Sequence, residues 1–473
     1  MDNKEFRKHA HIIVDWMADY LDEIEKYPVK SLVKPGEIYS GFPDSAPVES
    51  EEMEEIMHDF ESLVLPGITH WQSPNFFAYF PANSSYPSVL AEMLTATLGA
   101  QGMIWETSPA AAELEEKMML WLKEMTGLPT SWKGVIQDTA STATLTAILS
   151  ARERCTHFLS NQSGPEALKG LRVYCSSETH SSIEKAVKIA GLGSRNLVKV
   201  KVDEDFRMDM AALRKAIESD LEAGLIPACV IATLGTTGCT AIDPLSAISE
   251  ITSHYNIWLH IDAAFAGTAL VLPEFRWMIK GIELADSIVF NPHKWMFTNF
   301  DCSAYFVKDS ESLIRTFEIL PEYLNTVTRG KVNDYRDWGV PLGRRFRALK
   351  LWFVIRSFGL KGIREKVSEH IRLAGWLKDQ LMNEKQFEIL APVTLNVVCF
   401  RLHPSGIENK DELNNLNESL LTLLNSTGKI YLTHTKLNGI YTLRMVIAQT
   451  YVEARHVEAA WDLIRKKAAE ITT

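Results

Sequence analysis

The sequence predicts an α/β fold in which helices flank a mainly parallel sheet. Between about residues 134 and 310, short runs of β-branched residues alternate with stretches of helical periodicity. The chain before this region is mostly helical, and the chain after about residue 361 has the pattern of a smaller α+β region. A chain of 473 residues is too long for one hydrophobic core, so we expect two or three domains.

The composition argues against several classes of function. The formal charge of −11 and the lack of basic runs with interleaved aromatic residues argue against a nucleic-acid partner. We expect no membrane span and no signal peptide, because apolar runs are short and the first residues enter an amphipathic pattern. The six cysteines are scattered without a Cys-x-x-Cys pair, which favours a reducing cytoplasm over a metal site or a disulfide framework.

The N-terminal region is predicted to be helical and to need a surface for burial. Apolar residues recur at helical spacing over residues 5–25, and they must pack against the body of the chain or a partner subunit. Residues 26–50 hold several prolines and glycines, which favours an extended connector, and a second helix is expected over 51–64. Residues 85–127 are predicted to be helical, with a fresh helix start at Pro109.

A dense aromatic segment occupies residues 70–81. It reads His-Trp-Gln-Ser-Pro-Asn-Phe-Phe-Ala-Tyr-Phe-Pro, so proline interrupts any helical or strand pattern. The segment could be a loop that packs into the core, or it could be the wall of a pocket for a flat apolar ligand. The pattern alone leaves both interpretations open.

The central region is predicted to hold seven strands separated mostly by helices. The predicted strands span residues 134–137, 172–176, 197–202, 228–234, 257–261, 287–290 and 302–307. The predicted helices span residues 141–154, 182–191, 210–223 and 245–255. The C-terminal region is predicted to contain helices over 362–383, 411–426 and 452–470, a strand over 393–402, and a hairpin at Asn438-Gly439. Reactive groups in such a sheet collect at the carboxyl ends of the strands.

Polar groups follow several of the predicted strands. Residues 139–141 begin a helix whose free N–H groups could hold an anion, although an ordinary N-cap has the same pattern. Lys294 follows a buried strand, where desolvation would favour the neutral, nucleophilic amine. Asp262 follows another strand, and a carboxylate in so apolar a setting needs a cationic partner. His180 follows a third strand, and alone it could be a purely structural histidine.

Pyridoxal 5'-phosphate needs this set of groups. Its phosphate needs a helix N-terminus, its ring a stacking face, its pyridine nitrogen an aspartate and its aldehyde a lysine. Asp262 and Lys294 are far enough apart in sequence for one helix-containing crossover between neighbouring strands. No Gly-x-Gly-x-x-Gly fingerprint and no P-loop competes for the phosphate role.

Nearly the whole chain resembles the fold-type I, group II pyridoxal-phosphate-dependent decarboxylases, most closely the aromatic-L-amino-acid decarboxylases. The most specific matching segments are residues 70–81, 232–237, 260–267, 291–295 and 341–350. The resemblance implies a fold-type I transferase architecture with a mainly parallel seven-stranded sheet. Its three parts would be an N-terminal helical arm and dimerisation segment (1–80), a large cofactor-binding α/β domain (81–360) and a small C-terminal α+β domain (361–473).

The resemblance also implies a role for each residue of the site. Lys294 would form the Schiff base with the cofactor, Asp262 would pair with the pyridine nitrogen, and His180 would stack on the ring. The other residues implied to hold the cofactor are Ala140, Ser141, Thr237, Asn291 and His293. The residues implied to line the substrate pocket are Trp71, Tyr79, Phe80, Pro81, Ala82, Gln101, Met103, His180 and Gly343. In this family Gln101 and Met103 would come from the second subunit of an obligate homodimer.

Two residues bear on the product that the resemblance implies. Tyr323, in the loop at 320–325, matches the tyrosine that delivers a proton to the substrate carbon. Relatives that make aldehydes carry phenylalanine there or lack the histidine that matches His180, so we expect simple decarboxylation of an aromatic L-amino acid. The alternatives are an aromatic aldehyde synthase, a group II decarboxylase for glutamate or histidine, and a cofactor-binding protein without turnover.

Four positions differ from residues found in relatives. Asp138 replaces a glycine that often precedes the phosphate-binding residues, and its carboxylate would repel a phosphate unless it points away or caps the helix. Ala82 and Met103 stand where some relatives have threonine and phenylalanine. Gly343 leaves room where some plant relatives selective for phenolic substrates have serine. The last three differences bear on the choice of aromatic substrate.

Overall fold

The structure, a computed structural model, describes residues 1–319 and 331–472. Internal packing separates the chain into two compact units. The small unit comprises Met1–Pro81, Leu373–Leu390 and Val398–Thr473. The large unit comprises Ala82–Arg372 and Ala391–Val397. The three-part division at residues 80 and 360 stays a prediction.

A mainly parallel, seven-stranded sheet forms the centre of the large unit, and this confirms the predicted fold class. Its strands are β1 (Lys133–Gln137), β2 (Leu171–Ser176), β3 (Leu197–Val200), β4 (Ile226–Thr233), β5 (Trp258–Asp262), β6 (Ser287–Phe290) and β7 (Ser303–Val307). They lie in the order β1-β7-β6-β5-β4-β2-β3. β7 pairs antiparallel with β1 and β6, whereas the other pairs are parallel. Every residue of β5, β6 and β7 is buried, as expected for strands covered on both faces.

In the large unit helices alternate with the strands, and the small unit of the described chain also contains helices. They are α1 (Asn3–Asp22), α2 (Glu37–Gly41), α3 (Met53–Asp59), α4 (Tyr86–Leu98), α5 (Pro109–Thr126), α6 (Ala140–Cys155), α7 (Ser160–Ser163), α8 (Ser182–Ile189), α9 (Met210–Glu222), α10 (Leu245–His254), α11 (Pro292–Trp295), α12 (Ser310–Phe317), α13 (Arg347–Asn383), α14 (Lys410–Ser426) and α15 (Ala454–Thr472). Small residues let α6 approach the sheet closely, because Ala143, Ala147 and Ala151 are all fully buried in the core. In the part of the chain that is described, no helix is both long enough and apolar enough to cross a bilayer.

Helix boundaries follow local sequence signals. Pro109 occupies the first turn of α5, and the Ser108 hydroxyl oxygen accepts the N–H of Ala111 at 3.3 Å, so the predicted helix start is confirmed. α13 begins well before the predicted residue 362 and runs across a break at Gly359, where φ is +65°. The prediction began the helix only after this break.

The small unit contains a four-stranded sheet. Its strands are β8 (Phe387–Ile389), β9 (Val397–Leu402), β10 (Thr433–Leu437) and β11 (Ile440–Val446), in the order β10-β11-β9-β8. Asn438 and Gly439 have φ of +50° and +74° and form the predicted hairpin turn between β10 and β11. The sequence did not predict β8, because three residues are too few to show an alternating pattern.

The N-terminal helix exposes apolar side chains. Asp2 caps α1 in a capping box with Glu5, which explains why the helix begins at residue 3. No residue of α1 is buried, and Phe6 and Ile12 are 57% and 46% exposed. The connector predicted over 26–50 contains the short helix α2, and the predicted second helix is α3 followed by a π-helical turn.

Candidate active site

The carboxyl ends of β4, β5 and β6 meet at one edge of the large sheet. Thr233 of β4 pairs with Asp262 of β5, and Asp262 pairs with Val289 of β6. The N–H of Leu234 donates to the carbonyl oxygen of Asp262 at 2.9 Å, and the N–H of Ala263 donates to that of Val289 at 2.9 Å. The residues that follow these three strands therefore collect at the same edge.

Lys294 lies in α11, a single helical turn that follows β6 after one residue. Pro292 is in its first turn, and the N–H of Lys294 donates to the carbonyl oxygen of Asn291 at 2.9 Å. Asn83 is fully buried and donates its side-chain amide to the carbonyl oxygen of Lys294 at 2.6 Å. The N–H of Asn83 also donates to the carbonyl oxygen of His293 at 3.0 Å. Sequence reasoning missed Asn83, because one asparagine in a loop carries no pattern.

His180 is held in one tautomer by its neighbours. The N–H of Ser182 donates to Nδ1 of His180 at 3.1 Å, so the neutral ring carries its proton on Nε2. Burial lowers the pKa of His180 below its ordinary value, while the charge of Asp262 raises it and that of Lys294 lowers it. The structure therefore brings Asp262 and Lys294 within electrostatic reach of His180.

Asp262 presents a buried carboxylate at the end of β5. The residue is 6% exposed, and its Oδ1 accepts the N–H of Ala264 at 3.0 Å. This hydrogen bond fixes the orientation of the carboxylate at the strand end. A buried carboxylate is stabilised by a neighbouring cation, and a protonated pyridine nitrogen is such a cation.

The start of α6 offers backbone N–H groups to an anion. Thr139 is the N-cap, and its hydroxyl oxygen accepts the N–H of Thr142 at 3.4 Å. The N–H groups of Ala140 and Ser141 belong to the first turn, where helical hydrogen bonding leaves them pointing outward. Asp138 does not cap the helix, because its Oδ1 accepts the N–H of Thr139 at 2.6 Å.

The turn after β4 exposes Thr237 and buries Thr236. The Thr236 hydroxyl oxygen accepts the N–H of Ala241 at 3.0 Å, so this side chain serves the turn itself. Gly235 has φ of +83°, and a Cβ there would lie 2.7 Å from the Cβ of Ala266, so only glycine fits. Thr237 is therefore the threonine of this turn that is open to a ligand.

Asn291 and His293 are buried beside the start of β7. The hydroxyl oxygen of Ser303 lies 2.8 Å from Oδ1 of Asn291 and 3.1 Å from the carbonyl oxygen of Asp138. The N–H of Cys302 donates to Nδ1 of His293 at 2.9 Å, and burial lowers the pKa of His293 to about 3. His293 is therefore neutral. Ser303, which sequence reasoning missed, links Asn291 to the residue before the N-cap of α6.

The aromatic segment at 70–81 forms a ring cluster within the small unit. The rings of Trp71 and Tyr79 stack with centroids 5.8 Å apart, and the Tyr79 hydroxyl lies 3.3 Å from that of Tyr431. Arg444 donates to the carbonyl oxygen of Tyr79 at 2.8 Å, and its guanidinium lies 4.6 Å from the centroid of the Phe80 ring. Trp71 and Tyr79 remain 36% and 48% exposed. Sequence reasoning missed Tyr431 and Arg444, which lie far along the chain from the segment.

Gln101 and Gly343 contact one another in the large unit. The N–H of Arg344 donates to Oε1 of Gln101 at 2.5 Å, and a Cβ on Gly343 would lie 3.3 Å from Nε2 of Gln101. A side chain at position 343 would therefore press on Gln101. The carbonyl oxygen of Met103 accepts the N–H of Arg336 at 3.0 Å.

The remaining predicted site residues are Pro81, Ala82 and Tyr323. Pro81 is buried and Ala82 is partly buried, and they fall on opposite sides of the boundary between the small and large units. Tyr323 and the predicted catalytic loop at 320–325 lie outside the described residues.

Comparison with known proteins identifies the family. Residues 35–403 match the family model of the pyridoxal-dependent decarboxylase conserved domain. The chain belongs to this family. It is 44% identical to aromatic-L-amino-acid decarboxylase of Rattus norvegicus, covering 100% of this chain and 99% of that protein. It is 43% identical to phenylacetaldehyde synthase of Arabidopsis thaliana, covering 99% of this chain and 97% of that protein.

A solved structure supports the same assignment. Tryptophan decarboxylase of Catharanthus roseus in complex with L-tryptophan aligns with a TM-score of 0.94 at 39% identity, covering 100% of this chain and 99% of that one. The predicted resemblance to group II decarboxylases and the fold-type I architecture are thereby confirmed. The protein is a carboxy-lyase that uses pyridoxal phosphate. A buried carboxylate, a neutral imidazole, a helix N-terminus and a lysine at one sheet edge are a donor set that fits this cofactor.

Proposed function

We propose that this enzyme converts aromatic L-amino acids to the corresponding arylalkylamines and carbon dioxide. The proposal rests on the grouping of His180, Asp262 and Lys294 at the sheet edge, where the charges of Asp262 and Lys294 both act on the pKa of His180. The aromatic substrate class is supported by the stacked, half-exposed rings of Trp71 and Tyr79, because flat rings bind well against aromatic faces. The names of the relatives, which include aromatic-L-amino-acid decarboxylase and tryptophan decarboxylase, support the same class.

The chain supplies the groups that bind and orient the cofactor. Pyridoxal phosphate, when bound, provides the electron sink that makes loss of carbon dioxide feasible. The amine of Lys294 would hold the aldehyde, the carboxylate of Asp262 would keep a proton on the pyridine nitrogen, and His180 would stack on the ring. The phosphate and the remaining polar atoms would be held by Ala140, Ser141, Thr237, Asn291 and His293.

The proton that completes the amine is proposed to come from Tyr323. Its phenolic hydroxyl would deliver the proton to the substrate Cα after carbon dioxide has left. Tyr323 lies outside the described residues, so this role rests on the match of residues 320–325 to the loop of the family. His180 would assist by fixing the position of the ring.

An aromatic aldehyde synthase is the second candidate. The phenylacetaldehyde synthase at 43% identity favours it, because amine and aldehyde chemistry occur among close relatives. The presence of both Tyr323 and His180 favours the amine. A group II decarboxylase for glutamate or histidine is a weaker alternative, since an aromatic surface offers little to a charged side chain.

We propose that two sets of residues select the substrate. Trp71, Tyr79, Phe80, Pro81 and Ala82 would form one wall of the pocket. Gln101 and Met103 would enter from the second subunit, and Gly343 would leave room in the pocket for a large ring. The contact between Gly343 and Gln101 supports treating these two as one element of the pocket, because a larger residue at 343 would move Gln101.

We propose that the enzyme is a homodimer. On α4, Tyr86, Leu90, Leu94 and Leu98 recur at helical spacing and are 51%, 54%, 47% and 64% exposed, which makes a contiguous apolar stripe. Light scattering after size exclusion should give twice the chain mass. A monomeric mass with full activity would contradict the proposal, and Leu90→Glu should weaken the dimer.

We also propose that the protein works in a reducing compartment such as the cytoplasm. All six cysteines are free, and five of them are buried. Mass spectrometry after alkylation of the unfolded protein, without reductant, should find six modified thiols in protein isolated from its native cell. A disulfide-linked pair would contradict this proposal.

Product identification tests the proposed reaction. Purified protein loaded with pyridoxal phosphate is offered L-tryptophan, L-tyrosine, L-phenylalanine, L-DOPA, L-glutamate and L-histidine, and products are identified by mass. We expect arylalkylamine in equal amount to carbon dioxide, with no hydrogen peroxide. Aldehyde with peroxide would establish the second candidate instead. Turnover of none of the aromatic amino acids would overturn the proposal.

A further inference from the structure

The ring of the residue after Lys294 is held from two sides. Trp295 is fully buried and stacks on Phe265, with ring centroids 4.9 Å apart and 8° between the planes. The indole N–H of Trp295 donates to Nδ1 of His370, on α13, at 2.9 Å. Phe265 and His370 are each 1% exposed. These three residues, Phe265, Trp295 and His370, are named the indole clamp.

The indole clamp joins the two chain segments that carry the proposed cofactor groups. Phe265 comes three residues after Asp262, and Trp295 directly follows Lys294. The two rings therefore connect the segment after β5 to the turn after β6. His370 belongs to neither segment, so it fixes the indole against a third element, α13.

Hydrogen bonds from neighbouring segments hold the backbone of the lysine turn (residues 291–295) at Asn291, His293 and Lys294. α11 has only four residues, and a single helical turn has little rigidity of its own. The N–H of Asn291 donates to the carbonyl oxygen of Ala264 at 3.0 Å, which holds the start of the turn. Trp295 is the last residue of the turn, so the indole clamp holds its end.

We propose that the indole clamp is a positioning device that sets the place of Lys294 relative to Asp262. The proposal rests on the proposed roles of these two residues as cofactor ligands. The indole nitrogen can only donate, so Nδ1 of His370 must keep its lone pair and act as the acceptor. Removal of that acceptor leaves a buried N–H unsatisfied, and the indole and the turn that carries Lys294 must then shift.

Two substitutions of His370 distinguish the loss of the hydrogen-bond acceptor from a change in side-chain packing. His370→Leu removes the acceptor, whereas His370→Asn keeps an oxygen near the place of Nδ1. His456→Leu is the matched control, because His456 is a buried histidine of the small unit, 3% exposed, whose Nδ1 accepts the N–H of Glu453 at 2.9 Å. All three variants are compared with the wild type as full-length protein.

The first readout needs neither cofactor nor turnover. Hydrogen–deuterium exchange of peptides covering residues 291–298 is measured in cofactor-free protein. We expect His370→Leu to raise exchange on the order of 10-fold, His370→Asn to raise it less, and His456→Leu to leave it unchanged. This measurement tests whether the indole clamp holds the turn that carries Lys294, even if Lys294 does not hold the cofactor. Borohydride trapping and peptide mapping of the cofactor-loaded wild type test separately whether Lys294 holds the cofactor.

The second readout uses the loaded enzyme. We expect His370→Leu to change the pH at which the visible band of the Lys294-bound cofactor titrates. It should also lower kcat on the order of 10-fold with KM nearly unchanged, because a small misplacement of a reacting group is costly to rate. His370→Asn should restore most of kcat. A His370→Leu enzyme that matches His456→Leu in exchange, band titration and kcat would overturn the proposal.

A further variant keeps the proposal testable if His370→Leu does not fold. Trp295→Phe keeps an aromatic ring against Phe265 and removes the N–H that needs an acceptor. We expect increased exchange at residues 291–298 and a fall in kcat of about threefold. Unchanged exchange and unchanged kcat in folded Trp295→Phe would overturn the proposal.

Discussion

The lysine turn at residues 291–295 and the aromatic segment at 70–81 are built in different ways. In the lysine turn every residue except Lys294 is buried, and main-chain and amide hydrogen bonds fix its backbone. In the aromatic segment Trp71 and Tyr79 are well exposed, and the left-handed backbone of Tyr79 (φ +47°) is held by a hydrogen bond from Arg444 of β11. With the proposed roles of these residues, the reaction would take place at a closely packed sheet edge, and substrate choice would depend on exposed rings.

The largest expected effect follows from removing the amine of the lysine turn. Lys294→Ala should lower kcat by about 10⁴-fold or more and abolish the visible band of the bound cofactor, since no other amine takes its place. Absorbance spectra and amine release check both points. Lys308→Ala is the control, because Lys308 is exposed and its amine donates to the carbonyl oxygen of Glu283 at 2.9 Å. Retention of the band and of turnover in Lys294→Ala would refute the assignment.

His293, in the lysine turn, should also make the free energy of unfolding depend strongly on pH. Burial lowers the pKa of His293 to about 3. Below the ordinary histidine pKa, His293 therefore binds a proton in the unfolded chain while it stays neutral in the folded chain. The contribution of His293 to the free energy of unfolding is complete above the ordinary histidine pKa of about 6.5. It falls as the pH is lowered toward 3, by roughly 5 kcal/mol in all. Urea-unfolding midpoints of cofactor-free protein should depend less on pH in His293→Gln. Equal pH slopes for variant and wild type would contradict this prediction.

Neutralising the carboxylate of Asp262, at the end of β5, should lower the turnover of every substrate by the same factor. Asp262→Asn should lower kcat by roughly 10²-fold or more, because the amide cannot keep a proton on the pyridine nitrogen. Asp286→Asn is the matched control, since Asp286 precedes β6 and accepts the N–H of Leu259 at 2.8 Å. The control should lose stability without a change in cofactor spectrum. A normal rate in Asp262→Asn would show that another group maintains the proton.

Removing the proposed proton donor should change the product rather than stop the reaction. Tyr323→Phe should divert most of the turnover from amine to aldehyde, ammonia and hydrogen peroxide, because the carbanion then waits unprotonated long enough to meet oxygen. A peroxide assay and product masses measure the ratio. Tyr255→Phe, which removes a hydroxyl that donates to Oε1 of Glu218 at 3.0 Å, is the control. Clean amine from Tyr323→Phe would mean that the proton comes from another group.

The smallest effect is expected in the aromatic segment. Tyr79→Phe removes one of two hydroxyls that lie 3.3 Å apart. In the proposed pocket, this hydroxyl would be a polar contact for a ring hydroxyl of the substrate. We expect the preference for L-tyrosine over L-phenylalanine to fall by about fivefold, the effect of one modest hydrogen bond. Tyr431→Phe should act in the same direction. Competition assays with both substrates measure the ratio, and an unchanged ratio in both variants would contradict a polar role for the pair.

The sequence predicted the parts of the molecule that local pattern determines. Alternating strands and helices led to the seven-stranded sheet, and the ends of buried strands singled out Asp262 and Lys294. Asn83, Tyr431 and His370 were not predicted, because their contacts join residues far apart in the chain and leave no local pattern. The turn after β4 shows a finer limit, since periodicity does not tell which of two adjacent threonines faces inward.

The most direct test compares the two regions in one experiment. kcat/KM is measured for L-tryptophan, L-tyrosine and L-phenylalanine with wild type, Asp262→Asn and Tyr79→Phe. We expect Asp262→Asn to lower all three kcat/KM values by a common factor, with their ratios preserved within about twofold. Tyr79→Phe should shift the tyrosine-to-phenylalanine ratio by about fivefold while slowing turnover much less. A shift of substrate ratios by Asp262→Asn as large as that by Tyr79→Phe would contradict the separation of reaction from substrate choice.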